Sequence, residues 1–251
     1  MLIDERIKSS IASCFGQAAE IYDSCSSLQQ SIGVRLLGLL KNYQTEFESI
    51  VDLGCGTGIT TEKVAQQLIW KNFYAVDISK EMLSRASLRL KSKNIRLIEG
   101  DFEQIVFAND SLDLVISNMA LQWSLNLPAT LNAIAATQKK HAIFCFSMPL
   151  SGTLCELTKS NHFESNENIL NFLKTSNYEI ISLELQKYNV YFPNVLDAIR
   201  SIKKIGANFL VHSPKNNSSA NSLSAWILKM HRNNFYFKLT YRIGFYVVRR
   251  K

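Results

Sequence analysis

The residues best suited to chemistry in this chain lie in one short segment, Val51-Asp52-Leu53-Gly54-Cys55-Gly56-Thr57-Gly58. Its three glycines fall where an apolar run gives way to a helical pattern. Lacking a Cβ, they permit unusual dihedrals and let a ligand press against main-chain amides. A dinucleotide fingerprint would need its third glycine at position 59, where this chain has Ile59. The Gly-Lys-Ser/Thr of a phosphate-binding loop is also missing. Asp77 ends the next apolar run, where a carboxylate can accept from both hydroxyls of a ribose. Asp101 follows Gly100 at the end of a third, where it can accept from the exocyclic amine of adenine. Either acid alone could be a helix N-cap. At the carboxyl ends of consecutive parallel strands they would line one ligand crevice.

The glycine spacing resembles motif I of class I methyltransferases. That resemblance implies S-adenosylmethionine as cofactor, S-adenosylhomocysteine as product and no metal. It implies a cofactor site made by Asp52, Gly54, Gly56, Gly58, Asp77, Ile78, Met82, Asp101, Phe102 and Asn118. The segment Asn118-Met119-Ala120-Leu121-Gln122-Trp123 would then face the transferred methyl group. Enzymes that methylate amino groups of bases or of glutamine often carry Asn-Pro-Pro-Tyr here, and the prolines are missing. His141, His162, His212 and His231 are scattered, with no ligand spacing. In-line attack by the substrate on a sulfonium needs neither a metal nor a nucleophile supplied by the enzyme, only approach and alignment.

Positioning these residues requires alternating strands and helices. Helical spacing of Ile7, Ile11, Cys14, Phe15, Ala18, Ala19 and Tyr22 predicts an N-terminal helix, and Leu28–Lys41 a second. Strands are expected at Ser49–Leu53, Phe73–Val76, Ile95–Glu99, Leu112–Ser117 and Ala142–Ser147, with helices at Ile59–Leu68 and Lys80–Leu90. Later come an extended run at Tyr178–Phe192, a helix at Asn194–Ile205, a polar loop at Asn216–Asn221, a short helix at Trp226–His231 and a strand at Phe235–Arg249. This pattern predicts an α/β fold, a Rossmann-like, mostly parallel seven-stranded sheet with helices on both faces and a late antiparallel strand. It reads as a single methyltransferase domain: a helical cap over 1–42, a cofactor-binding core over 43–150 and a C-terminal substrate-binding part over 151–251.

Composition agrees with a globular protein: 251 residues, 47% hydrophobic and 20% charged. No apolar run reaches the roughly 20 residues of a membrane span, and Asp4 and Glu5 interrupt any signal-peptide pattern. Cys14, Cys25, Cys55, Cys145 and Cys155 lie apart without a C-x-x-C pair, which suits a reducing cytoplasm. The net charge of +7 is concentrated late, since no acid follows Asp197 while eleven Lys and Arg do. That favours an anionic partner or a solvated basic face. No nucleic-acid module accompanies it.

Along nearly its whole length the sequence resembles the malonyl-acyl-carrier-protein O-methyltransferases of biotin synthesis. The matching segments are Phe15-Gly16-Gln17-Ala18-Ala19-Glu20-Ile21-Tyr22, Asp77–Leu83, Gly100–Glu103, Ser117–Trp123, Gly152–Leu157, Ala198–Ala207 and Leu239-Thr240-Tyr241. The family's usual Lys-Pro-Gly-Gly turn is replaced by Lys139-Lys140-His141. The resemblance implies methylation of the free carboxylate of a malonyl thioester on acyl carrier protein, an acidic partner. It implies no nucleic acid or membrane partner, and the chain is expected to act as a cytoplasmic monomer. Tyr22, Trp123 and Arg200 are the expected catalytic residues: Tyr22 over the cofactor, Trp123 walling the thioester, Arg200 forking the carboxylate. Gln122, Lys203 and Lys204 are expected to meet substrate and carrier. Methylation of another small acid or a quinone precursor, a methyltransferase-like assembly factor, and RNA binding through the basic end are the competing readings.

Overall fold

The computed structural model describes residues 2–104, 107–157, 163–207 and 236–251. The polar loop at Asn216–Asn221 and the helix at Trp226–His231 expected from the sequence lie outside these residues.

Three N-terminal helices, α1 (Leu2–Ala18), α2 (Tyr22–Cys25) and α3 (Ser27–Lys41), precede an alternating series. It runs β1 (Glu46–Leu53), α4 (Ile59–Gln67), β2 (Ile69–Asp77), α5 (Lys80–Leu90), β3 (Ile95–Glu99) and β4 (Leu112–Asn118). A 3₁₀ turn (Leu121–Trp123) leads to α6 (Leu127–Thr137) and β5 (Gln138–Pro149). The chain continues with α7 (Asn166–Thr175), β6 (Tyr178–Phe192), α8 (Val195–Lys204) and β7 (Phe237–Arg250).

The strands form one seven-stranded sheet in the order β3-β2-β1-β4-β5-β7-β6. The strands from β1 to β5 pair in parallel, and β7 runs antiparallel to both β5 and β6. Strand order reverses at β1, which has β2 on one side and β4 on the other. Open sheets of this kind bind ligands beyond the carboxyl ends of strands at that reversal.

Successive strand residues point to opposite faces, so Val115 and Ile116, or Phe144 and Cys145, enter different cores. On one face Ile32, Leu36 and Leu40 of α3 and Ala198 and Ile202 of α8 pack against Ile50, Ile116, Cys145 and Phe245. On the other, Leu131 of α6 and Ile169 and Leu173 of α7 cover Val51, Val115, Phe144 and Phe146. A ring stack crosses from β5 to β7, with centroids 4.6 Å apart for Phe144–Phe146 and 4.7 Å for Phe146–Tyr246.

Besides the four-residue α2, two helices exceed the sequence expectation. At α6, Asn126 accepts from the Ala129 N–H at 3.2 Å and Pro128 occupies the first turn; α7 is capped by Ser165, which accepts from the Asn168 N–H. Strand β5 starts at Gln138 rather than Ala142. Its pairing with β4 shifts register between Leu112 and Leu114, and His141 takes φ +67° there. A bulge thus stands at Lys139-Lys140-His141.

Candidate active site

β1 delivers the chain into Gly54, whose φ is +76°. The Gly54 and Cys55 amides both donate to the Val76 carbonyl at 2.9 Å, tying the loop to the end of β2. A Cβ on Gly54 would lie 2.3 Å from Ala120 Cβ, so the β4 loop approaches closely only because none is there. Beside Gly56 a Cβ would meet nothing within 4 Å, which leaves open space over the loop. Gly58, by contrast, starts α4 with φ +82°, and a Cβ there would stand 3.2 Å from Ala86 Cβ and Leu90 Cδ1 of α5. Its role in the structure is to seat α4 against α5, and it does not line the cavity.

That cavity, of about 600 Å³, is lined by Lys8, Ile11, Phe15, Tyr22, Gly54, Gly56, Asp77, Ile78, Met82, Asp101, Phe102, Asn118, Met119, Ala120 and Trp123. Most of the expected cofactor residues are therefore brought together. Asp77 holds the floor, with Oδ2 accepting from the Gly56 N–H at 2.8 Å and Oδ1 from the Ser79 N–H at 2.9 Å. Burial pushes its carboxyl up to about 6, against the pull of those amides. Asp52 lies behind the loop in an adjoining polar recess with Gln29, Gln30 and Thr60. It accepts from Thr61 Oγ1 at 2.6 Å, and burial raises it to about 7.

Asn118 reaches the cavity wall with its amide committed: Nδ2 donates to the Gln29 carbonyl and Thr60 Oγ1, and Oδ1 accepts from Ser147. It joins α3 to the tip of β4. The next residue, Met119, takes φ +57°, and its carbonyl accepts from Gln122 Nε2 at 2.7 Å. The Gln122 Oε1 is buried and among the described residues has no hydrogen-bond partner.

A second cavity of about 500 Å³ adjoins the first and shares Phe15, Tyr22, Met119 and Trp123 with it. Its other walls are mainly apolar, among them Leu154, Phe163, Ile202, Ile205, Ala207 and Tyr241, with Gln29, Gln122 and Thr153 as polar groups. Phe15 and Trp123 meet edge to face at 5.4 Å. Burial, with Asp77 and Asp23 nearby, raises the Tyr22 phenol above its ordinary range, which keeps it a neutral donor.

Arg200 is not in either cavity. It projects from the exposed side of α8 and donates to Asp197 at 3.0 Å, and Lys203 and Lys204 share its exposure. The opposite side of α8 supplies Ile202 to the cavity wall.

Sequence reasoning missed Lys8. It belongs to α1, donates to Asp101 Oδ1 at 3.0 Å and to the Trp123 carbonyl at 3.2 Å, and pairs with Glu103. Lys8, Ile11 and Phe15 share a helical face, and a cation within that apolar series is the signal that could have found it. Burial works against the Glu103 charge, but bonds from Lys8, Ser124 and the Leu125 N–H prevail and hold it down at about 2. The anchorage of α2 was also missed: Asp23 accepts from Thr57 Oγ1 and pairs with Arg89 of α5.

A doubly wound sheet with this loop and these acids at its strand ends defines a methyltransferase, and a family model described as a methyltransferase domain matches residues 51–146. A putative methyltransferase from Bacillus halodurans shares the fold, with a TM-score of 0.63 at 14% identity over 87% of this chain and 98% of that one. Malonyl-[acyl-carrier protein] O-methyltransferase 2 of Coxiella burnetii is 37% identical over 97% of both chains. The corresponding enzyme of Pectobacterium atrosepticum is 32% identical over 84% of this chain and 83% of its own. The chain belongs to the malonyl-[acyl-carrier protein] O-methyltransferase family.

Proposed function

We propose that this protein methylates the free carboxylate of a malonyl group carried on acyl carrier protein, an early step in making the pimeloyl part of biotin. The observation that carries the reading is the shared wall of Phe15, Tyr22, Met119 and Trp123 between a polar-ended cavity and an apolar one. S-adenosylmethionine, when bound, supplies an electrophilic methyl group. The open space over Gly56, the Asp77 carboxylate and the Asp101 carboxylate suit its adenosyl part, with Ile78, Met82 and Phe102 against the base.

A malonyl carboxylate is already a nucleophile, so no general base is required. What it needs is alignment and removal of water. Tyr22 donates from its neutral phenol to one carboxylate oxygen and Gln122 holds the backbone of Met119 beside it. Trp123 and Phe15 close the thioester side. The buried Gln122 Oε1 supplies an acceptor for an amide N–H of the carrier's acyl arm. Arg200, Lys203 and Lys204 face outward together and fit the acidic carrier protein, which gives Arg200 a docking role in place of the carboxylate fork.

The test is transfer of labelled methyl to malonyl-carrier protein against free malonate. Label should enter the carrier-bound acid alone. Arg200→Ala should raise KM for the carrier protein several-fold, roughly the effect of removing a rim charge, with kcat little changed. A collapse of kcat would return Arg200 to the reacting centre. No transfer to malonyl-carrier protein would leave another acid, a quinone precursor or an assembly role.

A further inference from the structure

We propose that Lys8 sets the selectivity of the cofactor cavity for adenine by anchoring Asp101 through one carboxylate oxygen and leaving the other for the ligand. The inference rests on the cofactor reading above.

Asp101 follows β3 at the cavity wall with its side chain 9% exposed. Both of its described donors, Lys8 Nζ at 3.0 Å and the Glu103 N–H at 3.1 Å, bind the same atom, Oδ1. Among the described residues Oδ2 has no hydrogen-bond partner. A carboxylate fixed in this way can turn a single acceptor toward a ligand donor.

Lys8 is not a solvent cation that happens to fold inward. Its side chain is 11% exposed, on the face of α1 that also supplies Ile11 and Phe15 to the cavity. A lysine is rarely buried there unless its charge is met. Lys8 meets it with two carboxylates and the Trp123 carbonyl, and its ammonium stands 5.1 Å over the Phe102 ring. Glu103 is otherwise committed, accepting from Ser124, Thr130 and the Leu125 and Asn126 amides. The lysine thus joins α1 to the loops after β3 and β4, and of its two carboxylate partners Asp101 is the one that retains an oxygen without a described donor.

Adenine offers an exocyclic amine to that acceptor. Hypoxanthine offers a carbonyl oxygen in its place, which a carboxylate repels. Calorimetric titration should therefore compare S-adenosylhomocysteine with S-inosylhomocysteine, which share the ribose and the amino-acid end. Wild type should prefer the adenine compound on the order of 30-fold, the scale of one charge-assisted hydrogen bond. Lys8→Met should narrow the ratio to about threefold, chiefly by weakening the adenine compound, and Lys8→Arg should restore most of it. Should Lys8→Met not fold, Lys8→Gln reads the same ratio and should lie between wild type and threefold. Equal weakening of both ligands would make Lys8 a mere tether of α1 and overturn the inference, as would an unchanged ratio. If wild type takes up neither compound, the cofactor reading itself fails, and the inference with it.

Discussion

Asp52 and Asp77 give the cavity a pH dependence with two opposite signs. Burial raises them to about 7 and about 6 from an ordinary value of 3.8. An acid raised in the folded state stabilises that state while protonated. Its contribution is complete below about 4 and fades as pH climbs through 6 to 7. On the proposed reading ligand binding runs the other way, because ribose hydroxyls would donate to the ionised acid. Affinity for S-adenosylhomocysteine should rise about tenfold from pH 5 to 7.5, following ionisation of Asp77; in Asp77→Asn the profile should be flat. A profile in Asp77→Asn as steep as in wild type would remove Asp77 from the ribose site. Gly54, Asp77 and Asp101 were legible in the sequence because strand ends mark them. Arg200 was not, because its charge is visible in sequence and its direction is not. Val195, Ala198 and Ile202 define the buried side of α8. Arg200 lies two residues from both Ala198 and Ile202, about 200° around the helix and so away from the cavity.

Among the elements, α5 shows how a cap serves the site. Ser79 Oγ accepts from the Met82 N–H at 3.3 Å, and Met82 lines the cavity beside Asp77 while the Ser79 amide holds Asp77. Ser79→Ala keeps that amide bond and loses the cap. It should cost about 1 kcal/mol of stability, read as a lowered denaturation midpoint. Ligand affinity should fall only modestly, and an unchanged midpoint would show that the cap contributes nothing. Helix α5 and strands β3 and β6 were legible to the residue because their amphipathic or alternating patterns have clear ends. β1 and β2 began earlier than expected. Their first paired residues, Glu46 with Ile69, extend a parallel ladder past the apolar run, so backbone pairing sets the boundary there. Caps at Asn126 and Ser165 announced α6 and α7. Periodicity alone does not reveal these helices, because α6 closely follows the strand-end segment and α7 stands next to residues without a strong period.

At the scale of the molecule, the parallel half of the sheet follows from alternation in the sequence, whereas the order of the last strands does not. The sequence also concentrates cations after Asp197, and the fold distributes acids from elsewhere among them. Arg249 meets Glu179, Arg250 meets Asp110 and Lys238 meets Glu156. Part of the basic excess is thereby neutralised by segments distant in sequence, a pairing no composition count reveals. The position of β7 has a further consequence for biogenesis. This strand lies between β5 and β6 although both precede it in the chain. A nascent polypeptide that has already emerged through β6 can complete the parallel half, but it has no neighbour onto which β6 can zip. Ribosome-stalled chains ending before residue 237 should therefore remain protease-sensitive across 178–192, and gain protection once 237–250 clears the exit tunnel. Earlier protection would mean that β6 first docks somewhere else and must later let go to admit its partner.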